Sequence, residues 1–349
     1  MPIKSHEELS EIGSRVLRSA GATDDVADRV ARHLVGSNLV GLDSHGIIRL
    51  ADYATWLQEG KIAGDNRIEV VRDKAATCLI DAHMSFGQVA ASQSADIAVQ
   101  KAQVYGIGLV SVKNASHIGR LGEYVEDIAS QGFIGFLCCN AEGAGQLVAP
   151  WGGKEARIGT NPMAWGIPSR RESGGMVLDM ATSIVPEGKI RVMMRREEEI
   201  PHGWVLDSQG QSTTKPADLY GPPVGAILPF GGHKGYGLML AIEALSGVLS
   251  GGGHARPAAA DAWFTHGSTF TTIAIEVESF RSLTEFTDDV DEMLRHMKSS
   301  PPTTPDAEVL VPYEIESREK AVRLANGITI EESTWDRVVQ IASGLGISI

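Results

Sequence analysis

The sequence is poor in the features that would place it in an oxidising compartment, in a membrane or on a nucleic acid. It has three cysteines in 349 residues, Cys78, Cys138 and Cys139. The number is odd, two are adjacent and none forms a C-x-x-C pair, so neither a disulfide framework nor a cysteine-ligated metal is expected. They read as small buried apolar residues. No apolar run approaches the roughly 20 residues that span a bilayer, and Met1 to Glu8 carries no apolar signal core. The expectation is a cytoplasmic protein that meets no membrane. Positive charge is scarce: 31 Lys and Arg against 44 Asp and Glu leave a formal net charge of −13. That balance argues against nucleic acid and anionic membranes as partners. An anionic small molecule would need a local basic pocket.

Familiar nucleotide and metal signatures are missing too. Gly106-Ile107-Gly108 precedes a strand and lacks the third glycine of G-x-G-x-x-G, and Gly143-Ala144-Gly145 lacks it as well. Gly232-His233-Lys234-Gly235 has neither the upstream glycine spacing nor the following Ser/Thr of a P-loop, and no H-E-x-x-H is present. A dinucleotide, if bound, is held without the Rossmann loop, and no metal is expected.

Hydrophobic residues make up 43% and charged residues 21%, enough for a sizeable core. The length suggests about two domains of about 150 residues. The 39 glycines exceed the usual share of about 7% and cluster at Gly231-Gly232 and Gly251 to Gly253, marking tight turns. Ser5 with Glu8 forms a capping box for a helix running towards Ala20. Thr23 caps a second helix, and a third carries His45, Arg49 and Tyr53 to about Gly60. Strands are expected at Thr77 to Ile80, Gly106 to Val112, Phe133 to Cys139, Met176 to Met180 and Thr271 to Val277. Helices at Ser85 to Tyr105 and Gly119 to Gln131 alternate with them, which indicates a layered α/β arrangement. Gly235 to Ser250 reads as a helix apolar on nearly every side, hence buried. Helices at Leu283 to Lys298, Glu314 to Asn326 and Thr334 to Ser343 close the chain. The expected plan is an N-terminal helical part (1–70), an α/β part (71–280) and a C-terminal helical part (281–349) packing with the first.

Five stretches carry candidate chemistry. In Asp43-Ser44-His45-Gly46, followed by Arg49 and Tyr53, a spacing of four stacks His45, Arg49 and Tyr53 on one face if the segment is α-helical. Histidine exchanges protons near neutral pH, and arginine grips a carboxylate through a planar fork. Ser116 to Gly122 (SHIGRLG) opens a helix after an apolar strand, where free N–H groups could meet a phosphate that Gly119 lets approach; a hydrogen-bonded structural His117 is the alternative. Gly159-Thr160-Asn161-Pro162 is a rigid turn, either self-bonded or in contact with substrate. In Leu178-Asp179-Met180 the carboxylate either binds a ribose hydroxyl or caps the next helix. His233 and Lys234, in a glycine-rich approach to a helix, could hold a pyrophosphate, or lie on a flexible solvated loop.

On DSHGIIRL (43–50), HIGRLGEY (117–124), GTNP (159–162), LDMATS (178–183), GGHKGYGL (231–238) and VLVPYEIESR (309–318) the chain resembles the malate/L-lactate dehydrogenase family, which includes sulfolactate, ureidoglycolate and diketogulonate dehydrogenases. The resemblance implies a non-Rossmann NAD(P)-binding mixed-sheet fold, usually a homodimer with the coenzyme, NAD or NADP, near the subunit interface. It implies an exchange of a small 2-hydroxy acid with its 2-oxo acid. His45 is then the proton carrier assisted by Ser44, or His117 takes that role, while Arg49, Tyr53 and Thr160 contact the substrate. Coenzyme contacts fall on His117, Ile118, Gly119, Arg120, Leu121, Leu178, Asp179, Met180, His233, Lys234, Pro312, Tyr313 and Glu314. Two positions depart from the family: Tyr313 replaces the glycine of a Pro-Gly-Glu, and Pro186-Glu187 replaces a small residue followed by a basic one. Reduction of a cyclic imine acid, or a non-catalytic binding role on the same fold, are the alternatives.

Overall fold

A computed structural model of the chain describes residues 1–141, 145–171, 175–256 and 267–349; the Gly143-Ala144 dipeptide lies outside them. Its centre is a seven-stranded sheet of mixed direction. The strands run in the order Glu69–Lys74, Thr77–Asp81, Ile107–Ala115, Ser268–Glu276, Phe133–Ala141, Met163–Ile167 and Met176–Met180. Thr77–Asp81 and Ile107–Ala115 pair in parallel, and the other neighbours are antiparallel. The strand at Glu69–Lys74 escapes a sequence reading because all six of its residues are exposed, leaving no buried alternation.

The Ala-rich helix Gly87–Tyr105 links the two parallel strands. Its small residues set how closely it lies on the sheet: a Cβ on Gly108 would stand 2.0 Å from the Ala98 carbonyl oxygen. Helix Gly122–Ser130 covers Phe133–Ala141 and Met163–Ile167, where Gly166 touches the Val125 carbonyl in the same way. Val110, Val112, Leu137, Phe270, Tyr124 and Val125 fill the core between.

A second core joins both ends of the chain. Leu9, Val16, Val30, Leu34, Ile47, Leu50 and Tyr53 pack with Ile328, Ile330, Val338 and Ala342, and Ile3-Lys4 pairs antiparallel with Ile328-Thr329. The first helix, His6–Ala20, has the expected capping box, Glu8 N–H donating to Ser5 Oγ at 3.2 Å and Ser5 N–H to Glu8 Oε2 at 2.9 Å. Thr23 stands at the start of helix Asp24–Leu39 but makes no side-chain cap; its backbone N–H donates to the Gly64 carbonyl instead. Helix Leu283–Lys298 buries Val290 and Leu294 with Val311, beside Ile167 and Met176.

Two expectations need correction. Residues 43–58 are not one helix. Asp43–His45 and Ile47–Arg49 are separate 3₁₀ turns, and the α-helix covers only Leu50–Gln58. Gly46 is extended between the turns because its Cα packs on Asn38: a Cβ there would meet the Asn38 amide at 2.3 Å. The helix from His233 is apolar but buried on one face only, through Met239, Ile242 and Ser246. It runs α-helically to Glu243 and as a π-helix over Ala244–Val248, and Leu238, Leu240, Leu245, Val248 and Leu249 are exposed.

Candidate active site

The turn at Asp43–His45 is held by its neighbours. Asn38 accepts the Ile47 N–H at 2.8 Å and donates to Asp43 at 2.6 Å, and Arg323, from the C-terminal part of the chain, donates to Asp43 Oδ1 at 2.7 Å and to the Asn38 carbonyl at 2.7 Å. Two 3₁₀ turns place His45 differently from an α-helix, yet the expected residues still converge. The rings of His45 and His117 stack with centroids 5.7 Å apart at 17°. Ser44 Oγ lies 3.0 Å from His45 Nδ1, and Tyr53 Oη lies 2.7 Å from His117 Nδ1. Arg49 donates through Nε to the Ser44 carbonyl at 2.8 Å, and its Nη1 approaches Asp52 only to 3.9 Å. Gly188, at the start of helix Glu187–Arg195, faces Ser44, and a Cβ there would stand in ordinary contact with the Ser44 Cβ at 3.4 Å.

Burial, reinforced by the charge of Arg49, pushes His45 down to about 3 and holds His117 well below the usual histidine range. Both rings are therefore neutral near pH 7. The Gln88 amide donates to Tyr53 Oη at 2.9 Å. Burial keeps the Tyr53 phenol protonated, up to about 12. When Tyr53 donates that proton to His117 Nδ1, neutral His117 carries its own on Nε2. His45 has no such constraint, because a serine hydroxyl can donate or accept. Gln88 eluded the sequence reading, although a long polar side chain on the buried face of an Ala-rich helix is a visible signal.

The loop 117–121 is less open than its motif suggests, because helix Gly122–Ser130 starts three residues later than expected. One of its N–H groups and the first of the helix are already engaged: Arg120 N–H donates to His33 Nε2 at 3.0 Å, and Gly122 N–H to Asp179 Oδ2 at 2.7 Å. Asp179 thus caps a helix, but one that precedes it by 57 residues. The place a Cβ on Gly119 would take is filled by His33 Nε2, 2.0 Å away, with φ at +75°. Ile118 gives its carbonyl to Tyr124 Oη at 2.7 Å, and Leu121 is buried in the main core. Arg120 is buried and donates to Glu126 at 3.2 Å, and Tyr313 donates to the same carboxylate oxygen at 2.7 Å. Tyr313 adopts φ +74°, the left-handed conformation that a glycine takes freely, and buries its ring in the core. Pro312 is exposed, while Glu314 is tied to Lys298 at 2.6 Å and Arg171 at 3.2 Å.

Three further motifs meet at Thr182, which sequence reasoning did not single out. Its N–H and Oγ1 both donate to the Thr160 carbonyl at 2.9 Å, Oγ1 also donates to the Asn161 carbonyl at 2.8 Å, and its own carbonyl accepts the Phe230 N–H at 3.0 Å. Leu178, Asp179 and Met180 lead into Thr182, and Phe230 leads into Gly231, Gly232, His233 and Lys234. Gly231 and Gly232 have positive φ, and His233 and Lys234 are exposed at a helix start with no side-chain cap. Among the described residues no hydrogen bond joins Thr160 to either histidine. The departure at Glu187 is self-contained: its carboxylate accepts from Arg191 at 2.8 Å and from Tyr220 Oη at 2.7 Å.

Residues 4–339 match the family model described as malate/L-lactate dehydrogenase. The chain is 38% identical to L-sulfolactate dehydrogenase of Methanocaldococcus jannaschii over 96% of its length and 94% of that protein. Among solved structures, malate dehydrogenase of Pyrococcus horikoshii superposes with a TM-score of 0.89 at 32% identity, covering 99% of this chain and 96% of that one. The Δ1-piperideine-2-carboxylate reductase of Pseudomonas syringae superposes with a TM-score of 0.87 at 26% identity, covering 98% and 100%. With the paired histidines, the nearby arginine and the motif order on one fold, the chain belongs to the malate/L-lactate dehydrogenase family.

Proposed function

We propose that the protein interconverts a small 2-hydroxy acid, malate- or lactate-like, and its 2-oxo acid with NAD or NADP. The observation that carries this reading is the pair of stacked, neutral imidazoles under the charge of Arg49. Arg49 would bind the substrate carboxylate. In doing so its charge is offset, the suppression of His45 relaxes, and the imidazole gains basicity when a substrate hydroxyl is present. His45 is the better proton acceptor because Ser44 can receive its Nδ1–H and leave Nε2 open. His117, with its proton on Nε2 when Tyr53 donates to Nδ1, would donate a hydrogen bond to the substrate oxygen.

A nicotinamide coenzyme, when bound, supplies the hydride-accepting ring. The residues present fit such a group. Asp179, largely buried and with its carboxyl pushed up by burial, still offers carboxyl oxygens suited to a ribose diol, and Lys234 with the uncapped helix start behind Gly231-Gly232 suits phosphates. His233 and the loop 117–121 would flank them. The one parallel strand pair lies towards the other side of the sheet from Asp179, which supports a nucleotide site built without a Rossmann crossover. The exposed Leu238, Leu240, Leu245, Val248 and Leu249 support a homodimer joined over this helix; light scattering should give twice the 37.2 kDa chain mass.

Oxidation of a panel of 2-hydroxy acids with both coenzymes, run beside reduction of piperideine-2-carboxylate, tests the reading. Turnover of a 2-hydroxy acid supports it. Turnover of the cyclic imine alone would replace it with the second reading, which the likeness to the piperideine-2-carboxylate reductase favours.

A further inference from the structure

His33 occupies a place that neither the motifs nor the proposed chemistry uses. It lies on helix Asp24–Leu39 and is 0% exposed. Both ring nitrogens are engaged, in one sense only. Nε2 accepts the Arg120 N–H at 3.0 Å, so it carries no proton. Nδ1 then bears the proton and faces two oxygens, Tyr124 Oη at 3.3 Å and, as an ion-pair contact, Glu123 Oε2 at 2.5 Å. Burial raises the Glu123 carboxyl, but His33 and Arg29 outweigh it and hold that carboxyl below the usual range, so it stays an anion. Arg29 donates to the other oxygen, Glu123 Oε1, at 2.7 Å. The His33 ring also stacks on Tyr124 at 5.4 Å and 10°, and Tyr124 in turn grips the Ile118 carbonyl. On the loop side, Gly119 has no Cβ, and the imidazole stands in its place.

Three successive residues after His117 are thus fixed from beneath: Ile118 by its carbonyl, Gly119 by its missing side chain, Arg120 by its N–H. We infer that His33, oriented by Glu123, is the positioning residue of the His117 loop and sets where the His117 ring stands against His45 and Tyr53. This rests on the dehydrogenase reading only in naming what His117 does; the placement itself is independent of it. A carboxylate behind a histidine fixes tautomer and ring orientation. Here the oriented nitrogen accepts from backbone instead of touching a reactant.

The test compares His33→Leu, which keeps apolar bulk but removes both polar contacts, with His33→Gln, which offers an acceptor at about the reach of Nε2. Loop misplacement by about 1 Å costs on the order of 10²-fold, so His33→Leu should lower kcat by about that factor, and His33→Gln should recover most of the loss. A readout independent of turnover is carbethoxylation of His117, mapped by mass spectrometry against exposed His202 and His296. Its rate should rise in His33→Leu and stay near wild type in His33→Gln. Should His33→Leu fail to fold, the comparison passes to His33→Asn, whose acceptor falls short of Arg120 N. Wild-type kcat and unchanged His117 labelling in a folded His33→Leu protein, or equal losses in the Leu (or Asn) and Gln variants, would overturn the inference. If the wild-type protein oxidises no 2-hydroxy acid, the labelling alone decides.

Discussion

Around His117 the contacts run between side chains: Ser44 to His45, Gln88 to Tyr53 and Tyr53 to His117. Around Thr182 most of them end on backbone: the Thr160 and Asn161 carbonyls, the Phe230 N–H, and the bridge from Ser183 to Pro229. The first region determines which atom carries a proton. The second sets how far apart three loops stand, and the contacts of Thr182 itself involve no titrating group. Changes in the first should therefore appear in turnover and pH dependence, and changes in the second in binding and stability.

The largest effect is expected from His45→Ala, which should lower kcat by on the order of 10²- to 10⁴-fold and leave NADH binding, followed by fluorescence, close to wild type. Near-normal kcat would move the proton to His117 and erase the asymmetry drawn between the two rings. Arg49→Met comes next. Loss of a charged hydrogen bond of about 1.5 to 3 kcal/mol should raise KM for the carboxylic acid by roughly 10- to 100-fold. It also makes a pH prediction with a definite sign. The base proposed at His45 needs it unprotonated, and Arg49 is the second cause, after burial, of its low pKa. Removing the charge raises that pKa, so the acid limb of kcat/KM should move to higher pH; an unmoved limb would mean that Arg49 does not act on His45 electrostatically. The smallest effect belongs to Thr182→Val, nearly equal in shape but without the hydroxyl. Stability should fall by about 1 to 3 kcal/mol in urea unfolding, and coenzyme Kd should weaken severalfold with kcat largely kept. A large loss of kcat there would show that the backbone side shares in the chemistry.

Much of this was legible in the chain. The capping box of Ser5 and Glu8, the apolar strands at Ile107–Ala115 and Met176–Met180, and the helices Leu283–Lys298 and Glu314–Asn326 follow from local pattern; the cap read at Thr23 does not form. Helix 43–58 did not, because its break is set by Asn38 pressing on Gly46 from another element, and spacing along the chain carries no trace of that contact. The exposed leucines of 238–249 misled for the opposite reason: composition shows that a helix is apolar, not what covers it. At the site, His45, Arg49, Tyr53 and His117 were found from residue types and spacing. Gln88, Thr182 and His33 were not, since each acts by reaching across 21 to 87 residues of sequence to a backbone atom or a hydroxyl.

The pairing of Ile3-Lys4 with Ile328-Thr329 has a consequence for how the protein is made. The helices that carry His33 and Tyr53 are made well before Ile328, Ile330, Val338 and Ala342, which complete the same core as Leu9, Val16, Val30 and Leu34. During about 300 residues of elongation that core is closed only in part, by residues such as Phe86 and Val89. The part of the protein that would hold the substrate is thus translated long before the segment that closes it.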